Sequence, residues 1–204
     1  MTTWVERPEG GRERGPRGLA RAWVEVLAKP RRFFRNGVAP GDQAPGLVFG
    51  VLVATAYTVA RVAAEPGPVM LVTRTPSGER FVQTVPDALA VLAVVVVVAP
   101  AVLHLVSALQ TILLMLSVPD RAGVSETVQV VAYATAPCAL AGLPSPALRA
   151  VCAGYGAVLL VVGLSEVHGA SLPRAALAGA IPAAIVFGAG FGGSAAITAL
   201  LGSL

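Results

Sequence analysis

Residues 87–117 read DALAVLAVVVVVAPAVLHLVSALQTILLMLS, and Asp87 is the only formal charge among them. A helix rises ~1.5 Å per residue and ~20 apolar residues cross the ~30 Å hydrocarbon core of a bilayer, so this stretch is longer than one crossing needs. As a single helix it would reach ~46 Å by the same rise, and must tilt, protrude or bend. Pro100 removes a backbone donor and supplies a bend. Dividing the stretch at Pro100 would leave halves of 13 and 17 residues with no polar turn between them, so one span is expected. The β-branched run Val94–Val98 does not alter this, because outside a closed barrel only a helix satisfies its own backbone in lipid.

The rest of the chain agrees. Of 204 residues, 55% are hydrophobic and 13% charged, against roughly 25% charged in a soluble domain. Apolar segments cover 46–64, 87–117, 127–143, 147–164 and 175–201. The expected fold is an all-α membrane protein, a bundle of five transmembrane helices over 46–204. A soluble enzyme is excluded. Two cysteines and two histidines are too few for a disulfide scaffold or a Cys- or His-rich metal cage. No cofactor is expected, and aromatics at 5% offer no stacking surface for nucleic acid.

The net charge of +4 resides in residues 1–45, which carry nine basic and five acidic side chains; residues 46–204 carry six of each. Residues 1–18 are polar and rich in Gly and Pro, and are expected to be disordered. Residues 19–45 form a basic amphipathic segment. In it Leu19, Trp23, Val26 and Leu27 share one helical face and Arg21, Glu25 and Lys29 the other, as suits a helix lying on the bundle or in the plane of the interface. Trp23, Arg31, Arg32, Phe33, Phe34 and Arg35 are its candidate membrane-surface residues. No 7 to 15-residue apolar run with a cleavage site precedes the first span, which is therefore expected to be an uncleaved anchor. Five spans with a cytoplasmic N-terminus put eleven basic residues inside and four outside or near the outer ends. The positive-inside rule selects that orientation, with the C-terminus extracytoplasmic, in the cell membrane.

Three stretches carry a family resemblance. LAKPRRFFR (27–35) places a proline and paired aromatics before the first span; GVSETVQVVAYATAPCALAGLP (123–144) places Tyr133 four residues before Pro137; GYGAVLLVVGLSEVHGASLPRAALAGAIP (154–182) contains Gly163, Val167, His168 and Gly169. With the five-span topology, these resemble the Yip1-domain family of small integral membrane proteins over about residues 20–200. The N-terminus departs from the long regulatory tail of eukaryotic members. The resemblance implies a non-enzymatic protein of membrane-organising or vesicle-transport type.

Several residues are candidates for more than packing. Pro137 leaves the Tyr133 carbonyl without its i+4 donor, so a kink is expected there. Ala176, Ala180, Ala184, Gly188, Gly192 and Ala196 place a small residue at every fourth position of the fifth segment, a ridge expected to pack inside the monomer. His104, Glu166 and His168 are ionisable groups in or beside the spans and form a candidate polar cluster. Asp87 reads as an N-cap of the second span, and Cys138 and Cys152 as buried thiols at one depth, a disulfide between them being the alternative. Gly192-Gly193-Ser194 has the Gly-x-Ser form of intramembrane serine nucleophiles, but both histidines lie toward the other face.

The expected function is a scaffold for membrane organisation or trafficking-like assembly. Its partners are anionic lipid headgroups and other membrane proteins or a second copy, with no small-molecule substrate identified. The alternative is a small permease or channel with a polar path near His104, Gln110 and Glu166.

Overall fold

The computed structural model of the chain describes residues 3–6, 12–64, 69–74 and 80–203. Thr3–Glu6 (β1) pairs antiparallel with Arg12–Arg14 (β2), and helix α1 (Gly15–Ala28) follows directly. The stretch expected to be a disordered tail to residue 18 is thus a short hairpin and a first helical turn where it is described. α1 buries Ala22 and Val26, while Arg21 Nε donates to Glu25 Oε1 at 2.9 Å on the wetter side. Pro30 opens α2 (Pro30–Gly37), at a position where its missing N–H costs nothing.

Four helices among the described residues are long and apolar enough to cross a membrane: Ala44–Ala64 (α3), Asp87–Ser117, Pro146–His168 (α7) and Leu172–Gly190. Val69–Arg74 (β3) and Arg80–Val85 (β4) form an antiparallel hairpin between the first two. The second is one continuous 31-residue helix, as its sequence demands. It comprises α4 (Asp87–Ala93), a π-helical turn at Val94–Val98 and α5 (Ala99–Ser117). The distortion sits on the turn just before Pro100: the Ala99 N–H reaches back five residues to the Val94 carbonyl. Pro86 occupies the cap position, so Asp87 is the first helical residue rather than the N-cap, still favourable beside the positive end of the helix dipole.

The third segment differs from the expected uniform span. α6 (Val124–Ala134) is only 11 residues long, and the backbone then tightens into a 3-10 helix at Ala136–Leu140. Pro137 therefore ends the α-helix instead of kinking it. Every residue from 127 to 138 is buried, and α3, α5 and α7 all pack on this element. Among the described helices it is the bundle's centre.

Close approaches give the directions of the chain. A methyl group on Gly46 would stand 2.7 Å from Gln129 Cα, one on Gly50 3.3 Å from Ala132 Cβ, and one on Gly142 2.3 Å from the Tyr57 carbonyl. The third segment therefore runs alongside α3 in the same sense. α7 returns, with His168 beside Thr127, Gly163 beside Val130 and Cys152 beside Cys138. The end holding Gly46, Gln129 and His168 is termed basal; that holding Tyr57, Gly142 and Arg149, distal.

The fifth segment is also interrupted. α8 (Leu172–Ala183) passes into a π-helical stretch at Ala184–Gly190 just after Pro182, and the chain then bends at Gly192, whose φ of 70° suits glycine. α9 (Gly193–Leu201) is a separate helix packed on α7 and on the π-helical stretch. Residues 175–201 are thus not a single span. Pro182 cannot donate to the Ala178 carbonyl, and the buried Gln110 side chain of α5 does so instead, Nε2 to O at 3.1 Å.

Candidate functional site

The stretches that resemble one family from separate parts of the sequence meet in space. Phe33 of α2 stands edge-on to Tyr133 of α6 with ring centroids 4.8 Å apart, and Phe49 of α3 approaches Tyr133 at 5.0 Å. Trp23 of α1 packs on Phe49 at 5.1 Å, and Phe34 stands edge-on to Phe33 at 5.6 Å. Such tilted and edge contacts match the quadrupoles of the rings. Phe34 lies against Gly163 of α7, where an added methyl would come within 2.9 Å of its ring and 2.8 Å of Val130. Phe33 and Phe34, expected at the membrane surface, are buried in the bundle. Trp23 is half-buried against it, and Arg31, Arg32 and Arg35 remain exposed on the other side of α2.

Tyr155 of α7 donates its hydroxyl to the Leu27 carbonyl at the end of α1. It lies thirteen residues before His168, so the α1–α2 turn sits ~20 Å along α7 from the basal end. The two helices form a hairpin inserted against the bundle rather than a segment flat on it. α2 leads back toward the basal end, where Arg35 Nε pairs with Glu166 Oε2 at 2.5 Å and Arg31 Nε lies 3.8 Å from Oε1. The arginines are nearly two-thirds exposed and Glu166 is 12% exposed, so the carboxylate is held by the bundle and the cations face outward.

The connection from α2 to α3 is held by α6. Gln129 Nε2 donates to the Ala39 carbonyl at 2.7 Å, and its Oε1 accepts from the Ala39 N–H at 2.8 Å. Glu126 Oε1 accepts from the Gly41 N–H at 3.1 Å. The sequence marks Gln129 only as a polar residue in an apolar run; nothing local points to Ala39. Phe49 and Tyr155 likewise carry no sequence signal beyond being aromatic.

The candidate polar cluster does not assemble. His104 faces the outside of the bundle and its Nδ1 donates to the Pro100 carbonyl of its own helix at 2.7 Å. Glu166 turns to the arginines. His168 is buried, with Nε2 at 3.4 Å from Thr127 Oγ1. Gly169 follows it with φ 66° and ends α7 in the left-handed conformation, which gives the His-Gly pair a structural reason; Val167 is half-buried. Gln110 spends its amide N–H on Ala178, so the three residues of the alternative path point to three different surroundings.

The small-residue ridge is not a packing face either. Ala176, Ala180 and Ala184 are exposed and Gly188 and Gly192 half-buried, and only Ala196, on α9, is buried. The face that packs is Ala175, Ala178, Gly179, Pro182 and Val186, one position removed, and the π-helical stretch and the Gly192 bend break the four-residue period. Ser194 Oγ donates to the Gly188 carbonyl. Cys138 and Cys152 are free buried thiols at the same depth, Cys138 Sγ lying 3.8 Å from the Cys152 carbonyl. Among the described residues no group of three metal-ligating side chains comes together.

No curated protein and no solved structure matches the chain. The Yip1 domain, as a family, matches residues 24–193. That range takes in Phe33, Phe34, Phe49 and Tyr133 of the aromatic cluster, the Gly163 contact and all four apolar helices. The chain is a multispan helical membrane protein and belongs to the Yip1 domain family.

Proposed function

We propose that this protein is a non-enzymatic scaffold of the cell membrane. In this reading it crosses the membrane five times and presents its α1–α2 hairpin to the cytoplasmic leaflet. The fifth crossing is the α6 and 3-10 element. It runs beside α3 from Gly46 to Tyr57 and beyond, and non-α backbone is tolerated at membrane depth where protein encloses it. α9, at nine residues, is too short to re-cross a ~30 Å core, which leaves the C-terminus on the distal, extracytoplasmic side.

The observation that carries the reading is the two-sided character of α2. Phe33 and Phe34 lock it into the bundle while Arg31, Arg32 and Arg35 face outward, and the Arg31 and Arg35 side chains reach Glu166 near the basal end. A fixed row of cations next to the bilayer surface attracts anionic headgroups, at about 1 kcal/mol per basic side chain, and favours acidic segments of neighbouring membrane proteins. Photo-crosslinkers in place of Arg32 and Asn36, in native membranes, test this. Adducts to anionic lipid and to a small, reproducible set of membrane proteins are expected. Saturable solute uptake into proteoliposomes, lost in Glu166→Ala, would overturn it in favour of a permease.

A further inference from the structure

A crevice of about 210 Å³ opens between α3, the second apolar helix, the third segment and the π-helical stretch after α8. Both π-helical turns border it, through Val94 and Val98 on one side and Val186 and Gly190 on the other. Each of these turns widens its helix by one residue, and π-bulges recur at functional sites. The α3 wall runs from Gly50 through Ala54 to Tyr57, ~10 Å along the helix.

The lining decides what enters. Thr58 donates its hydroxyl to the Ala54 carbonyl and Thr135 to the Ala132 carbonyl, so two of the polar side chains present are already engaged with their own backbone. A buried water needs two to four polar partners, and this space does not supply them. Beside the mouth Val96, Val97 and Val98 are exposed, the first two at 61%, on a helix apolar enough to span. The crevice therefore opens sideways onto hydrocarbon. A partner helix, 10–12 Å across with its side chains, is too thick for it; a single alkyl chain is not. On the distal side Arg149 Cδ and the Tyr57 hydroxyl lie 3.3 Å and 3.4 Å from where a side chain on Gly192, next to the lining residue Phe191, would begin. Arg149 Nε donates to the Ala141 carbonyl at 2.9 Å and Nη2 to the Leu143 carbonyl at 3.5 Å, so its charge meets two carbonyls and no carboxylate among the described residues. A cation and a hydroxyl at the end of an apolar slot match a phosphate at the end of a chain.

We infer that this crevice holds one acyl chain of a phospholipid from the distal leaflet, with its phosphate beside Arg149 and Tyr57. The inference needs the bundle in a bilayer and is independent of the scaffold role.

The test uses the full chain in phosphatidylcholine vesicles containing a trace of phosphatidylglycerol with a diazirine near the end of one acyl chain. After irradiation, labelling of the α3 wall and of Val186–Gly190 is expected several-fold above that at Leu116 and Leu177, which are 81% and 79% exposed. Filling the space with Ala54→Phe, or from the opposite wall with Val98→Trp, should lower lining labels several-fold and leave Leu116 unchanged; thermal melting identifies which of the two remains folded. Labelling equal to that at Leu116, or labelling that survives filling in a folded variant, would overturn the site. A diazirine fatty acid lacking the phosphate should label several-fold less, and equal labelling would overturn the phospholipid assignment. Crosslinks from the lining to a second copy would place protein there and also overturn it.

Discussion

The side-chain amide of Gln129 closes on both backbone groups of Ala39, donating at 2.7 Å and accepting at 2.8 Å. This joins the centre of the bundle to the turn between α2 and α3. Ala39 is 7% exposed, so neither group has ready access to solvent. Gln129→Leu strands a buried donor and a buried acceptor and should cost about 2–4 kcal/mol. Gln129→Glu keeps the acceptor and loses the donor, and should fall between. Chemical denaturation in detergent micelles, read by Trp23 emission, ranks the three.

Gly163→Ala should destabilise by about 1–3 kcal/mol, because the new methyl meets Phe34 and Val130 and the packed ring has nowhere to go. Phe34→Leu should recover part of that loss in the double variant although it is destabilising alone. A coupling energy near zero in the double-mutant cycle would show that Phe34 and Gly163 are not in contact.

Glu166→Gln removes the partner of Arg35 and Arg31. Since both arginines are mostly exposed, the pair contributes little to stability, below about 1 kcal/mol after solvent screening. The effect should appear in lipid association. With Arg35 released, the variant should retain more phosphatidylglycerol on purification than the parent, and high salt should abolish the difference. Native mass spectrometry counts the retained lipids.

Cys138 and Cys152 should resist a membrane-permeant maleimide in the folded protein and react fully after denaturation in SDS, since both are buried. The unmodified protein should migrate identically with and without reductant, since neither thiol is paired. Prompt labelling of either native thiol would contradict the packing of the 3-10 element on α7.

The bilayer-spanning character was legible wherever a run was both long and uninterrupted, as in 46–64 and 87–117. Where a proline stood in such a run, its presence was visible and its outcome was not. Pro100 follows a π-helical turn, Pro137 ends an α-helix and Pro182 precedes a second π-helical stretch, because the neighbouring packing chooses how the lost bond is absorbed. Paired aromatics flanked by arginines read the same whether they enter lipid or a protein groove. Only Gly163 and Tyr133, a hundred or more residues downstream, decide for the groove. Gln129 with Ala39 and Gln110 with Ala178 pair across 90 and 68 positions, a separation over which local spacing carries no information.

The slot that receives Phe33 and Phe34 is built from chain made much later than the rings themselves. Gly163 emerges from the ribosome 130 residues after Phe33, roughly ten seconds at ordinary elongation rates of about 5–20 residues per second. Through that interval Phe34 lacks the Gly163 face it packs on, and Phe33 lacks Tyr133 for all but the last part of it. Final seating of the N-terminal hairpin is therefore a late, post-insertion event, and a ribosome stalled before α7 should display α2 fully open to protease.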